Sequence, residues 1–307
     1  MYTTDEQDLL SRCTLCPREC LADRFAVSNG YCGTDAGINA VSVCLHKGEE
    51  PVICGDRGIC NIFFSGCNLR CIYCQNHEIS WPGGITGLMS LEETLDAIEK
   101  VLLQGVKTIG FVSPMHVVPQ VKAIIRGLNG RGLRPVTVYN TNGYEKPETI
   151  DSLDEIIDVW LCDYKYAGGN IASELSDVRD YPETVLKALK RMYFLKGSTL
   201  QTDNDGMAIS GLIIRHLIIP GHVNESIKVL RNIAEELSTG VHVSIMSQYS
   251  PTAPVSSMKN LGRQLSQHEY DSVVKEMEAL GFRNGWIQES GSSFNYMPDF
   301  TKHDPFE

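Results

Sequence analysis

The sequence has no apolar run long enough to cross a membrane, and it is short of positive charge. Its 307 residues include 27 Lys and Arg against 38 Asp and Glu, which gives a net charge of −11. Nucleic-acid binding needs clustered Lys and Arg that contact phosphates, so this deficit predicts that the chain binds no nucleic acid. A spanning helix needs about 20 mainly apolar residues, so we also expect no membrane insertion.

The N-terminus lacks the basic and apolar regions of a secretory signal, and it carries Asp5, Glu6 and Asp8 instead. We therefore expect a cytoplasmic protein. In that reducing compartment, cysteines are more often metal ligands than disulfides. The chain has 11 cysteines, and all except Cys162 come before residue 75. This concentration predicts that the N-terminal quarter has a cysteine chemistry of its own.

Cys67, Cys71 and Cys74 directly follow an apolar run at residues 61–64, which predicts a buried strand that ends in a cysteine loop. Thiolates are the usual protein ligands of iron–sulfur clusters. Three of them leave one iron of a four-iron cluster without a protein ligand, and an open iron can bind a small molecule. The alternatives are a zinc site or free buried thiols, but zinc prefers four closed ligands.

Strands alternate with helices beyond this loop. Predicted strands lie at 108–112, 135–139, 156–161, 212–219 and 241–246. Helices are predicted after the capping boxes Ser90/Glu93 and Ser266/Glu269, after Pro182 and after an Asn224 cap. This rhythm indicates a parallel sheet with crossover helices. Together with the strand at 61–64, the pattern predicts an α/β fold, a partial (β/α)6 barrel, in which residues 198–210 form a mobile polar insertion.

Polar residues at the C-terminal ends of barrel strands line the active site in this class of fold. That rule selects Ser113, His116, Asn140, Thr141, Asn142, Asp163, Lys165, Gln248 and Tyr249. Asp163 and Lys165 are two positions apart and would share one face of a strand. They can form an ion pair, and Lys165 can either bind a ligand carboxylate or serve only that pair.

The loop with Cys67, Cys71 and Cys74, and with Tyr73 before the last cysteine, resembles the signature loop of the radical S-adenosylmethionine (SAM) superfamily. The run at 74–76 resembles the pyruvate formate-lyase activating enzyme branch, and the run at 16–20 with the polar patch at 46–51 resembles its PflX-like branch. The resemblance implies a partial barrel, a [4Fe–4S] cluster and SAM on the open iron. It also implies reductive cleavage of SAM to a 5′-deoxyadenosyl radical that abstracts a hydrogen atom.

The resemblance also extends to the strand ends. Residues 140–143 and 161–165 resemble family runs that hold SAM and a monovalent cation, and residues 214–221 resemble a strand whose arginine meets the SAM carboxylate or ribose. The expected cofactor-binding residues are Tyr73, Asn76, Ser113, Asn140, Thr141, Asn142, Asp163, Lys165 and Arg215. Asn140 stands where the family has Asp, which removes a charge from the cation site.

The loop at 113–116 departs from the family, because Ser-Pro-Met-His replaces a Gly-Gly-Glu loop that binds the SAM amino group. His116 is a candidate for contact with substrate or adenine, or else a structural histidine. Tyr249 is a candidate for substrate contact or hydrogen-atom relay, or else a packed core tyrosine. These two residues are the catalytic candidates.

Cys13, Cys16, Cys20 and Cys32 place four thiols in twenty residues, which predicts a closed metal site. Zinc and a second iron–sulfur cluster both suit such a site, four unligated thiols are the alternative, and spacing does not decide. Cys44, Cys54 and Cys60 are predicted to be small buried hydrophobes, with replacement of one of the four ligands as the alternative for each. The carboxylates at 49 and 50 are compatible with a solvated loop.

We therefore expect a cysteine-rich segment at 1–60, a radical SAM barrel at 61–290 and a C-terminal tail at 291–307. The predicted function is an activating-enzyme-like oxidoreductase that acts on a protein, a peptide or a small molecule. Its expected electron donor is a low-potential flavodoxin or ferredoxin. Alternatives are a dedicated activase of a glycyl-radical enzyme and an iron–sulfur electron carrier without SAM chemistry. A zinc-ribbon nucleic-acid protein is disfavoured by the acidic balance.

Overall fold

A computed structural model describes residues 1–26, 30–81, 87–288, 298–300, 302 and 305–306. The strands are β1 (Ala40–His46), β2 (Ile59–Phe64), β3 (Thr108–Val112), β4 (Val136–Thr141), β5 (Val159–Asp163), β6 (Gln201–Thr202), β7 (Ala208–Leu217), β8 (His242–Met246) and β9 (Gly285–Ile287). The helices are α1 (Thr4–Ser11), α2 (Pro51–Cys54), α3 (His77–Ser80), α4 (Leu91–Leu102), α5 (Val118–Gly130), α6 (Pro147–Asp151), α7 (Gly169–Ser176), α8 (Tyr181–Lys196), α9 (Val223–Glu236) and α10 (Gln267–Ala279). Short 3-10 helices lie at Pro114–Val117 and Ala253–Val255.

The main sheet has the order β1-β2-β3-β4-β5-β7-β8-β9. All neighbours from β2 to β9 are parallel, whereas β1 is antiparallel to β2 and β6 is antiparallel to β7. In the described part of the chain β1 and β9 each end the sheet, so it is open. The predicted α/β partial barrel is confirmed, and β2, β3, β4, β5, β7 and β8 are its six expected strands.

The strands form where the sequence has continuous apolar runs, because both faces of a parallel sheet are covered. All six residues of β2 are buried, as are four of the five in β5. The predicted capping boxes are present, with Ser90 and Glu93 at the start of α4 and Ser266 and Glu269 at the start of α10. These caps fix where each crossover helix begins and how it returns to the sheet.

Three local features differ from the sequence pattern or add to it. The helix expected after an Asn224 cap has His222 as its N-cap instead and begins at Val223. Residues 169–176, for which no element was predicted, form α7. The polar insertion at 198–210 includes β6, which pairs with β7 through Gln201 and Thr202, and its mobility stays a prediction.

Strand β1 forms one edge of the sheet. It runs antiparallel to β2, with Ala40 opposite Phe64 and His46 opposite Ile59. The chain therefore leaves β1 at the N-terminal end of β2, and residues 47–58 cross that end of the barrel. The segment 47–58, with α2 inside it, is called the plug below. The sequence analysis did not predict β1. It expected only parallel strands, whereas β1 pairs with β2 in the antiparallel direction.

The division into segments at residues 60 and 290 stays a prediction. β1 lies in the predicted N-terminal segment and pairs with the first barrel strand, whereas residues 289–297 lie outside the described part of the chain. No helix that the structure describes is both long and apolar enough to cross a bilayer.

Glu145 is a buried carboxyl just after β4, and it generates a pH-dependent prediction. Burial raises the pKa of Glu145 to about 8, although hydrogen bonds from Thr141 and Tyr139 oppose the shift. Because the folded pKa lies above the value of 4.5 in a free chain, stability should fall as the pH rises from about 4.5 to about 8.

We expect Glu145→Gln to remove this pH dependence, because the amide stays neutral and keeps an oxygen to accept from Thr141. The melting temperatures of variant and wild type should be similar near pH 5, and the variant should be more stable at pH 8.5. Each unit of pKa shift corresponds to about 1.4 kcal/mol. Exposed Glu148→Gln is the matched control. An equal pH profile for Glu145→Gln and wild type would contradict the prediction.

Candidate active site

A cavity of about 460 Å³ lies at the C-terminal ends of the barrel strands. Small-molecule sites commonly measure about 300–1,000 Å³, so this cavity has room for a nucleotide-sized ligand. Cys67, Cys71 and Cys74 line it, and no fourth cysteine within the described residues does. The cavity therefore offers exactly three thiols to a cluster, as the spacing of the loop predicts.

Two of these thiols have a hydrogen-bond donor beside them. The Ser176 hydroxyl donates to Cys71 Sγ at 3.0 Å, and Asn142 Nδ2 lies 3.5 Å from Cys67 Sγ. Burial and the neighbouring thiols raise the pKa of Cys67 to about 11 and that of Cys74 to about 12. A metal must therefore displace these protons, as in any thiolate site, and the donors nearby stabilise the thiolates that result.

The donor set fits a cluster better than a single ion. In the described part of the chain, no three Cys, His, Asp or Glu side chains are close enough to share one metal ion. The thiolates of one zinc ion converge at about 2.3 Å from it. In a four-iron cluster each thiolate binds a different iron, so the sulfurs need to surround a cluster and not to converge on a point.

The loop is held in place by its backbone and by Tyr73. Gly66 has a φ of +76°, and a Cβ there would collide with the carbonyl oxygen of Cys32. The Tyr73 hydroxyl hydrogen-bonds to that of Tyr166, which continues to Ser176. This chain of hydroxyls ends at the cysteine loop, because Ser176 also donates to Cys71.

Asp163, Lys165 and Arg215 form a charged group on the barrel wall. Asp163 Oδ2 accepts from Lys165 Nζ at 2.7 Å, and its Oδ1 accepts from Arg215 Nε at 2.8 Å. Burial opposes ionisation of Asp163, but the charges of Arg215 and Lys165 outweigh it and hold its pKa below the usual range. The carboxylate therefore stays ionised between two cations.

Glu49 and Glu50 are functional candidates that the sequence reasoning missed. They reach into the barrel from the plug, and both line the cavity. Glu49 Oε2 accepts from Arg215 Nη1 at 2.9 Å, and its side chain is only 8% exposed. The expectation of a solvated loop at these positions is therefore wrong, because β1 leads the plug to the N-terminal end of the barrel, where both side chains face the cavity.

Glu50 is buried, and its Oε2 has no hydrogen-bond partner among the described residues. Burial raises the pKa of Glu50; Arg215 opposes this shift and Glu49 adds to it. Asn61 also faces this layer, since its Nδ2 donates to Glu49 Oε1 at 3.1 Å. In the sequence, a lone amide inside the apolar run of β2 could have indicated that Asn61 is a site residue. Nothing in the sequence indicates that Glu50 is buried.

Most of the other predicted residues also line the cavity. Ser113, Asn140 and Asn142 do so from the ends of β3 and β4, and Asn76 does so beside the cysteine loop. Ser113 has a left-handed backbone with a φ of +47°, and its N–H donates to the Asn140 carbonyl at 2.7 Å. The structure therefore brings together the strand ends that the sequence selected.

Tyr249 lines the cavity from the end of β8, where its ring lies 6.0 Å from that of Tyr73. Its hydroxyl donates to the Leu261 carbonyl at 2.7 Å. Burial raises the pKa of Tyr249 to about 12, so the hydroxyl keeps its proton at neutral pH. The ring face, rather than the hydroxyl, is the part of Tyr249 that a ligand could contact.

Thr141 and His116 lie elsewhere. The Thr141 hydroxyl donates to buried Glu145, behind the strand end. His116 is buried in a 3-10 helix, and its Nε2 lies 2.8 Å from the Ser65 carbonyl oxygen. Burial lowers the pKa of His116 to about 4, so it is neutral at physiological pH. His116 borders a second, smaller cavity together with the N-terminal cysteines.

Comparison with known proteins gives a match to a family model, one similar curated protein and several similar solved structures. Residues 61–193 match the family model described as the radical SAM superfamily. The uncharacterized protein MJ0674 of Methanocaldococcus jannaschii is 26% identical over 280 residues, which cover 89% of this chain and 76% of that protein. The family match starts within β2 and includes the cysteine loop.

Solved structures share the fold. SuiB of Streptococcus suis, bound to the precursor peptide SuiA, has a TM-score of 0.52 at 12% identity, and the match covers 75% of this chain and 48% of SuiB. HydG, a maturase of the [FeFe]-hydrogenase, has a TM-score of 0.55 at 14% identity, with 77% and 53% covered. The chain thus spans about half the length of these structures, and at such identities the likeness concerns the fold alone.

The family match, the three-thiol cavity and the open barrel agree with one another. Over residues 61–193, which carry the cysteine loop, the chain is similar to the radical SAM superfamily, whose enzymes use an iron–sulfur cluster and SAM for radical chemistry.

Proposed function

We propose that the chain holds a [4Fe–4S] cluster through Cys67, Cys71 and Cys74, cleaves SAM reductively and abstracts a hydrogen atom from a substrate. The observation that carries this proposal is a cavity with three thiols and a charged wall. Three protein thiolates leave one iron free for SAM, and the bound cluster supplies the electron for cleavage. An electron carrier, the competing function, has no need of an open iron or of a cavity beside it.

Lys165 is the residue best placed to bind the SAM carboxylate. An ammonium group has three N–H donors. In the described structure Lys165 Nζ uses one of them for its hydrogen bond to Asp163. Arg215 is more fully engaged, because Nε, Nη1 and Nη2 each already donate to a protein oxygen. We therefore assign Arg215 mainly to holding Asp163 and Glu49, and Lys165 to the ligand.

The remaining wall residues would complete the SAM site. Ser113, Asn140 and Asn142 offer hydroxyl and amide groups at the ends of β3 and β4, and Asn76 offers another beside the cluster. Tyr73 and Tyr249 supply ring faces for an adenine or for a substrate. His116 and Thr141, which were expected in the site, would instead stabilise the segments that carry it, through hydrogen bonds to Ser65 and Glu145.

The substrate is a protein, a peptide or a small molecule. SuiB, which shares the fold, was solved with a precursor peptide, and this supports a peptide as one candidate. An activase of a glycyl-radical enzyme would fit the same site with a protein partner. Either function needs a low-potential donor of the flavodoxin or ferredoxin type, and the cytoplasmic location that such donors require stays a prediction.

Cys71→Ala should abolish SAM cleavage while the barrel stays folded. Cys71 supplies one of three thiolates and lies on a loop outside the sheet strands. The measurement is 5′-deoxyadenosine formed after anaerobic reconstitution with iron, sulfide, dithionite and SAM, together with far-ultraviolet circular dichroism. Cys44→Ala, which removes a buried thiol of β1, is the matched control and should remain active.

Two outcomes would count against the proposed function. Wild-type protein that assembles a cluster but forms no 5′-deoxyadenosine would favour the electron carrier. Undiminished product from Cys71→Ala would mean that this thiol does not hold the cluster.

Lys165→Ala should weaken SAM binding by roughly tenfold or more, because a charge-assisted hydrogen bond is worth about 1.5–3 kcal/mol. Iron and sulfide content should stay at the wild-type level, since Lys165 is not a cluster ligand. The dissociation constant of SAM is measured by calorimetry on the reconstituted protein. Lys190→Ala removes an exposed lysine from α8 and is the control.

Asp163→Asn tests the same ion pair by changing the acid and not the lysine. It leaves Lys165 and Arg215 with one less anion, so we expect weaker SAM binding and a less stable barrel. Unchanged SAM affinity in both Lys165→Ala and Asp163→Asn would show that the cofactor is bound elsewhere.

A further inference from the structure

The four N-terminal cysteines surround one small cavity that is separate from the active site. Cys13, Cys16, Cys20 and Cys32 all line this cavity, although 19 positions separate the first from the last in sequence. Three of the four are buried, and Cys20 is exposed. We infer that these four thiols form a second metal centre, a tetrathiolate site for a zinc ion or an iron–sulfur cluster, independent of the proposed SAM chemistry.

The local backbone folds this segment back on itself. The Leu21 N–H donates to the Cys13 carbonyl and the Cys13 N–H to that of Ala22, both at 2.9 Å. The Glu19 N–H donates to the Cys16 carbonyl at 3.0 Å. These bonds keep the cysteines on either side of the turn close to one another.

A buried arginine supplies the matching charge. Arg24 lines the cavity and is 2% exposed. Its Nη1 and Nη2 donate to the His116 carbonyl and to Thr34, but its Nε has no hydrogen-bond partner among the described residues. A buried guanidinium without a carboxylate partner is costly. Four thiolates around a centre of charge +2 carry a net charge of −2, which Arg24 would partly neutralise.

The net charge is the same for a zinc ion and for an oxidised four-iron cluster, so electrostatics does not separate them. In the described structure no three of these thiols are close enough to share a single ion, which favours a cluster, whereas the void that they enclose, about 10 Å³, favours a single ion. Either centre would therefore shift the loop that carries them. Exposed Cys20 is the member that can move at the lowest cost.

The centre would stabilise a segment with little core of its own and hold it against the active-site loop. Arg18 Nε donates to the Asn68 carbonyl at 3.1 Å, and Arg18 Nη2 donates to that of Asp177 at 2.7 Å. The Tyr31 hydroxyl donates to Asp177 Oδ2 at 2.7 Å. The N-terminal site thus lies directly behind the loop that follows Cys67.

The test uses the Cys67/Cys71/Cys74→Ala variant of the full chain, so that any metal left belongs to the second site. Zinc, iron and acid-labile sulfide are measured per chain after anaerobic purification and reconstitution. We expect about one zinc, or about four irons with four sulfides, per chain. Adding Cys20→Ser should reduce this metal to background, whereas adding Cys44→Ala should not.

Cys20→Ser is chosen because an exposed residue is the one least able to disturb the fold, and circular dichroism verifies that it folds. Limited proteolysis gives a second readout, in which loss of the metal should expose cleavage sites within residues 13–36. No metal in the triple variant, or metal that persists after Cys20→Ser, would overturn the inference. Neither result depends on SAM cleavage, so the proposed function is tested separately.

Discussion

The buried charge of Arg215 is the constraint on which the barrel interior depends. An unpaired guanidinium inside a protein costs several kcal/mol, and here it is matched by Asp163 at 2.8 Å and Glu49 at 2.9 Å, with Asn140 at 2.6 Å. These partners come from β5, from the plug and from β4. One side chain therefore connects three parts of the chain and keeps a polar layer between the apolar core and the cavity.

This layer also explains how a fold with fully buried strands can have a charged cavity. Asp163, Arg215 and Ser244 lie opposite one another on β5, β7 and β8, so their side chains share one face of the sheet. The negative charges of Asp163 and Glu49 balance the positive charges of Lys165 and Arg215. Burial favours the neutral form of the remaining acid, Glu50. The wall thus holds opposite charges ready for a zwitterionic ligand without a large excess of either sign.

The sequence was sufficient for the barrel and for the strand-end residues, because both follow from local rules. Apolar runs gave the six strands, the Ser90 and Ser266 capping boxes gave two helix starts, and the C-terminal-end rule placed Asp163 and Lys165 on the cavity wall. The plug could not be predicted, because Glu49 and Glu50 are buried only through the antiparallel pairing of β1 with β2. The position of His116 could not be predicted either, because the 3-10 helix after Ser113 directs its ring to the Ser65 carbonyl oxygen, and its role stays a prediction.

The plug has a consequence for the order of events at the site. Residues 47–58 cross the N-terminal end of the barrel, and Glu49 lines the cavity from there, so the plug covers that end. A small ligand deep beside Lys165 is therefore more accessible from the C-terminal ends of the strands, where a bulky molecule that binds later would cover it. Such an arrangement would favour ordered binding, with the small ligand first.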